Sequence, residues 1–145
     1  MNERYIRQTM IPEIGEAGQE KLKNAKVLIV GIGGLGSPIS LYLTAAGVGQ
    51  IGLIDDDIVS KSNLQRQILY TEAEIGQSKV ECACRRLSAL NSSTRFETYP
   101  NRFTPDNANQ LVSAYDIIVD GCDNAATRYL IDDVCSRFKK PYVYG

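Results

Sequence analysis

The run KVLIV at 26–30 passes directly into GIGGLG at 31–36, and no other junction constrains the fold as strongly. Unbroken aliphatic residues without polar alternation read as a strand covered on both faces, as in a parallel sheet. Gly31, Gly33 and Gly36 then satisfy G-x-G-x-x-G, with Gly34 between them, just ahead of the helical segment SPISLYLTAAG (37–47). In that position small residues let a phosphate approach the backbone amides of a helix N-terminus, which also favours an anion electrostatically.

Downstream, strand and helix patterns alternate. QIGLID (50–55), RFETYP (95–100), YDIIVDG (115–121) and PYVYG (141–145) read as the further strands. SKVECACRRLSALN (78–91) reads as a helix in which Ser78 and Glu81 have capping-box spacing. TPDNANQLVSA (104–114) has Thr104 as a cap and Pro105 in its first turn, and NAATRYLIDDVCSRF (124–138) is the last helix. The alternation predicts an α/β, doubly wound, Rossmann-like parallel sheet with flanking helices and right-handed crossovers. Residues 1–24 fall outside the pattern and read as an N-terminal segment of one or two helices, packed on the domain or on a neighbour. The division expected is therefore 1–24 as the helical segment and 25–145 as a nucleotide-binding domain. The sequence stops on a strand, which reads as the first part of something larger.

Composition narrows the function. At 145 residues the chain is one domain's worth. Sixteen basic against 17 acidic side chains leave no broad field for nucleic acid or a membrane surface. No apolar run is long enough for a membrane span and the N-terminus has no signal core, so the cytoplasm is the expected compartment. Cys82, Cys84, Cys122 and Cys135 include no C-x-x-C pair and histidine is absent, which speaks against a zinc site and for reduced structural thiols. Cys82 and Cys84, two apart on a helix, point to different faces.

Asp55, 24 positions after Gly31 and at the end of the second strand, sits near the spacing of roughly 20 for a carboxylate that holds ribose hydroxyls. Mg·ATP brings more anionic oxygens than a dinucleotide and asks for cations. Arg66 can fork two phosphate oxygens, with Asn63 and Gln67 as donors beside it. Lys79 falls in a helix's first turn, where a cation is disfavoured unless an anion binds; alternatively it is an ordinary surface lysine. Asp123, just past the fourth strand, either caps the next helix or holds Mg²⁺, or does both.

The segments RYIRQ (4–8), GIGGLGSP (31–38), DDDIVSKSNLQRQILY (55–70), IGQSKVE (75–81) and DGCDNAATR (120–128) together resemble the ThiF, MoeB and HesA family of E1-like adenylyltransferases, somewhat closer to ThiF than to MoeB. The resemblance implies adenylation of the C-terminal glycine carboxylate of a ubiquitin-like sulfur-carrier protein, of the ThiS or MoaD type, with release of pyrophosphate. It implies that Gly31, Gly33, Gly34 and Gly36 cradle ATP, that Asp55 holds the ribose, that Asn63, Arg66 and Lys79 contact phosphates, and that Asp123 binds Mg²⁺. Asp57 matches a further family acid. Arg7 would reach across a homodimer to the partner's phosphates, which makes Arg7, Arg66, Lys79 and Asp123 the expected catalytic set. The family's second half, with its carrier-binding sheet and a zinc site in many members, lies beyond this segment. Cys122 reads as a buried filler rather than a catalytic thiol.

Other classes share parts of the pattern. A nicotinamide-dependent oxidoreductase would use the glycine loop and Asp55 but gives Arg66, Lys79 and Asp123 no shared task. A noncatalytic nucleotide-binding module and a dehydratase acting on threonylcarbamoyladenosine in tRNA are the further alternatives.

Overall fold

The structure, a computed structural model, describes residues 2–145. Five parallel strands form one sheet: β1 (Lys26–Val30), β2 (Gln50–Ile54), β3 (Arg95–Tyr99), β4 (Ile117–Asp120) and β5 (Tyr142–Tyr144). Their spatial order is β3-β2-β1-β4-β5. The chain builds outward from β1 in one direction and then, through β4, in the other, so the order reverses beside β1. That reversal opens a crevice at the carboxyl ends of the strands, where ligands of open α/β sheets bind.

The aliphatic run of β1 explains both layers. Val27 and Ile29 enter one apolar core with Ile51, Leu53, Val80 and Leu87. Leu28 and Val30 enter the opposite core with Val112, Tyr115, Ile118 and Ile131. Alternate side chains of a strand face opposite sides, so a strand that must fill two cores has no place for a polar residue. Helix α3 (Gly36–Ala46) covers the first face together with α4 (Lys79–Leu90), while α5 (Pro105–Ala114) and α6 (Ala125–Phe138) cover the second. The end of α3 is set by Gly47, whose φ of 94° suits glycine and lets its amide close on Leu43 and Thr44.

Helix starts agree only in part with their predicted caps. Thr104 and Asn107 form a reciprocal capping box with Pro105 in the first turn. Ser78 makes no side-chain cap on α4, and Glu81 instead accepts from the Thr98 hydroxyl at 3.2 Å. The backbone of Ser78 is held another way, by an antiparallel bridge to Ile58.

Before β1 stand a short turn at Glu3–Tyr5 and helices α1 (Ile6–Thr9) and α2 (Gly15–Asn24). They dock on the C-terminal end of α3, where carbonyls lack helical partners. The side-chain amides of Gln8 and Gln19 both donate to the Ala46 carbonyl at 3.0 Å, and Asn91 donates to the buried Tyr5 hydroxyl at 2.8 Å. Of the two placements expected for this segment, packing on the domain is the one the chain itself makes. No helix among the described residues is long and apolar enough to cross a membrane.

Candidate functional site

The crevice at the strand ends encloses about 560 Å³. Its floor is the glycine loop, with Gly31, Gly33 and Gly34 lining it. One wall carries Asp55, Asp56 and Asp57, and Arg66 and Lys79 stand beside them. The opposite wall is the turn after β4, from Gly121 to Asn124. Residues from four separate loops thus meet around one volume.

The glycines divide by task. Gly31 has a φ of 90°, and a Cβ there would lie 2.8 Å from the Gly121 carbonyl oxygen. Gly36 does not line the crevice; a Cβ on it would collide with the Gly31 carbonyl, so its smallness lets α3 start close against β1 and β4. Of the four glycines expected to cradle a ligand, Gly36 is therefore placed for packing instead. Gly33 and Gly34 face Gln67 and the Arg66 stem, where an added side chain would intrude on ligand space.

The loop is pinned at one peptide. Ile32 donates its N–H to Asp55 Oδ2 at 2.8 Å, and its carbonyl accepts from the Tyr70 hydroxyl at 2.5 Å. Burial, reinforced by the negative charge of Asp55, pushes the Tyr70 phenol upward, so it stays a proton donor at neutral pH. The other Asp55 oxygen accepts from the Asp57 N–H at 2.9 Å. Asp55 is thereby fixed in orientation at the mouth of the loop, with its remaining lone pairs available for hydroxyl donors. Tyr70→Phe should leave the buried Ile32 carbonyl short of a donor and destabilise the protein by about 1–3 kcal/mol, read from the urea midpoint.

Lys79, the first residue of α4, is buried, and its Nζ lies 2.8 Å from Asp57 Oδ2. The anion that offsets its unfavourable place in the helix's first turn is thus already within the chain. The hydrogen bond from Lys79 holds the Asp57 carboxyl below its ordinary value, against the opposing effect of burial. The stabilisation from the pair is therefore present above the ordinary value of 3.8 and is lost as pH falls through the lower folded value. Lys79 lines the crevice but is 4% exposed, against 59% for Asp57, so the pair meets solvent mainly through the carboxylate.

Other expected residues sit differently. Asn63 does not line the crevice, and its Oδ1 accepts from the Ser60 amide and hydroxyl in a local capping box. Asp123 lines the crevice and is exposed, but the cap of α6 is Asn124, whose Oδ1 accepts from the Thr127 N–H at 2.8 Å. The capping role expected of Asp123 belongs to its neighbour. Arg7 is exposed on α1 and is not among the crevice residues. Among the described residues no group of three metal-ligating side chains occurs. Mg²⁺ bound chiefly by ligand phosphates and water needs only one or two carboxylates, so Asp123 fits a nucleotide-borne ion and does not fit an all-protein cage.

Several contributors were not predicted. Asn101, Arg102 and Phe103, beyond β3, close one end of the crevice, and Arg102 lies 3.6 Å from Asp56. Buried Asp120 supports the turn after β4, taking Arg128 Nε at 3.0 Å and the Cys122 N–H at 3.0 Å. The signal for that pair was an acid at the end of an apolar strand with an arginine eight residues on, one turn into the helix. All four cysteines are free. Burial, with a hydrogen bond to Asp120, raises the Cys122 thiol to about 11, and burial raises Cys135 to about 11. With thiolate fractions near 10⁻³ at pH 8, both should resist iodoacetamide. Partly exposed Cys84 should be alkylated first, which peptide mass mapping would show.

A parallel sheet with a glycine turn at its reversal point and a cation-bearing crevice above defines a Rossmann-like α/β protein. The chain belongs to the ThiF family, whose profile matches residues 5–145. It is 48% identical over 143 residues to the sulfur carrier protein adenylyltransferase of Thermus thermophilus, covering 99% of this chain and 53% of that protein. It is 52% identical over 142 residues to the adenylyltransferase and sulfurtransferase MOCS3 of Culex quinquefasciatus, covering 98% of this chain and 32% of that protein. The chain thus spans about half the length of the first relative and a third of the second. Among solved structures it is similar to E. coli tRNA N6-threonylcarbamoyladenosine dehydratase, TcdA, in complex with ATP, with a TM-score of 0.90, 31% identity, and coverage of 97% of this chain and 58% of that one. E. coli MccB with ATP gives a TM-score of 0.89 at 33% identity, covering 99% of this chain and 45% of that one.

Proposed function

We propose that this chain is the nucleotide-binding part of an adenylyltransferase that activates the C-terminal glycine carboxylate of a ubiquitin-like sulfur-carrier protein. The observation that carries the reading is the convergence of the pinned glycine loop, fixed Asp55, Arg66 and buried Lys79 on one crevice. A dinucleotide has no evident use for that second group of cations, whereas a triphosphate does. The relatives named as adenylyltransferases stand at 48% and 52% identity, against 31% for the tRNA-modifying dehydratase. The carrier reading therefore leads.

In this scheme the carrier's carboxylate is already ionised at neutral pH and needs no general base. It attacks the α-phosphorus of ATP; a new acyl–phosphate bond forms, the bond from the α-phosphorus to the bridging oxygen breaks, and pyrophosphate leaves with its electron pair. Glycine-loop amides position the phosphates, and Asp55 accepts from ribose hydroxyls. Arg66 and Lys79 balance the charge that develops on the oxygens, which is where most of the acceleration in such a reaction arises. Asp123 would hold Mg²⁺, which supplies charge neutralisation to the polyphosphate. Asn63 would contribute through its amide nitrogen, since its Oδ1 is engaged by Ser60. Arg7, exposed on α1, would serve the crevice of a second copy in a homodimer. Cytoplasmic location and a thiamine- or molybdopterin-type carrier belong to the same reading.

Exchange of labelled pyrophosphate into ATP tests it. Exchange should require a ThiS- or MoaD-type carrier and disappear when that carrier lacks its terminal glycine. Exchange that ignores the carrier's terminus would overturn the assigned substrate.

A further inference from the structure

The turn that forms one wall of the crevice, residues 121–124, is held from behind by a buried ion pair. Asp120, the last residue of β4, is fully enclosed, and its Oδ2 accepts from Arg128 Nε at 3.0 Å. The same guanidinium donates to the Cys122 carbonyl at 3.2 Å and to the Tyr144 hydroxyl at 2.7 Å, and it lies 4.1 Å from the centre of the Tyr144 ring. The other Asp120 oxygen accepts from the Cys122 N–H at 3.0 Å and from the Cys122 thiol at 2.7 Å. One carboxylate and one guanidinium thus tie the turn to α6 and to β5 together.

A buried ion pair is a poor device for stability alone, since an apolar pair of similar volume commonly serves a fold as well or better. What an apolar pair cannot do is hold the amide, the thiol and the carbonyl of a single residue, as this one holds Cys122. On the far side of the turn, Asn124 is anchored by capping α6 through the Thr127 N–H at 2.8 Å. Asp123 stands between these two fixed residues. It is exposed and lines the crevice, and its carboxylate has no hydrogen bond or ion pair among the described residues. Its place is therefore set by its neighbours.

We propose that Arg128 and Asp120 are positioning residues for Asp123, holding its carboxylate in place to receive the divalent cation of Mg·ATP. The proposal rests on the nucleotide reading above. Neither residue lines the crevice, so neither touches the nucleotide, and their influence falls on the magnesium-dependent share of ATP binding. Replacing a partner that orients a metal-binding side chain commonly lowers metal affinity by about tenfold or more.

The test is calorimetric titration with ATP, with and without Mg²⁺, and with adenosine, on the protein, on Arg128→Lys, on Asp123→Asn and on the two combined. Thermal melts check folding. Arg128→Lys keeps a cation beside buried Asp120 but lacks the planar fork that reaches the carboxylate and the Cys122 carbonyl together. It should weaken Mg·ATP by about tenfold and leave magnesium-free ATP and adenosine unchanged. In the Asp123→Asn background the same replacement should have no further effect, because no carboxylate remains to be positioned. A role confined to the fold would instead weaken all three ligands together, or lower the melting temperature with the magnesium dependence intact. Either result, or additive losses in the combined variant, would overturn the proposal. If Arg128→Lys does not fold, Asp120→Asn combined with Arg128→Gln removes both charges, leaves no buried ion unpaired and is read in the same way. Unaltered protein that binds ATP without regard to Mg²⁺ would remove this assignment and leave the nucleotide reading standing, whereas failure to bind ATP at all would remove both.

Discussion

On the proposed function, Lys79→Met should lower the rate of carrier adenylation roughly 10²–10³-fold while the protein remains folded, the scale of losing one preorganised charge-stabilising donor. The ammonium is the most enclosed cation on the crevice wall, and it is held in position by Asp57 at 2.8 Å rather than free to sample rotamers. Methionine fills the buried stem of lysine with little strain, and Asp57, 59% exposed, can be hydrated once its partner is gone. The substitution nevertheless acts twice on the ligand, since it removes a positive charge and leaves an unopposed carboxylate facing a polyphosphate. The double variant Lys79→Met, Asp57→Asn should therefore recover part of the lost Mg·ATP affinity. Single-turnover rates and titration calorimetry read both effects. A full rate in the single variant would show that the pair serves only the fold, and no recovery in the double would show that the unopposed Asp57 carboxylate does not act on the ligand.

The second large effect is on stability. Gly36→Ala should destabilise the protein by about 3 kcal/mol, at the upper end of overpacking effects and a large part of a typical domain's 5–15 kcal/mol. The added methyl meets the Gly31 carbonyl, a backbone atom that cannot rotate aside, at the place where the ends of β1 and β4 and the start of α3 interlock. Gly31 and Gly121 are equally confined there, so no neighbour can yield without moving a strand. The urea midpoint should fall with the slope of the transition unchanged. An unchanged midpoint with nucleotide binding lost would instead place Gly36 at the ligand.

These two residues also show what the sequence could reveal. The order of elements was legible because it is written in local patterns: an unbroken aliphatic β1, a glycine turn, and helical spacing in α4 and α6. The role of Gly36 was only half legible, since the motif marks a need for smallness without saying whether ligand or backbone imposes it. The partnership of Lys79 with Asp57 was not legible, because a bridge between Ile58 and Ser78 brings together residues that no helix or strand period connects. Capping was one of two roles open to Asp123; it falls to Asn124, which has equal capping chemistry, and only backbone geometry selects between them. Asn63 was read as a donor beside Arg66; its side-chain oxygen closes a turn on Ser60, which leaves only its amide nitrogen for a ligand. Contributions from Asn101 to Phe103 depend on β3 lying at one edge of the sheet, a fact of topology.

The central claim, that the crevice takes Mg·ATP through its cations, is tested most directly by titrating the protein and its Arg66→Ala variant with ATP and with NAD, each with and without Mg²⁺. ATP binding should depend on magnesium and weaken by at least about tenfold in the variant, with no comparable binding of NAD. NAD binding that is indifferent to both Mg²⁺ and Arg66 would contradict it.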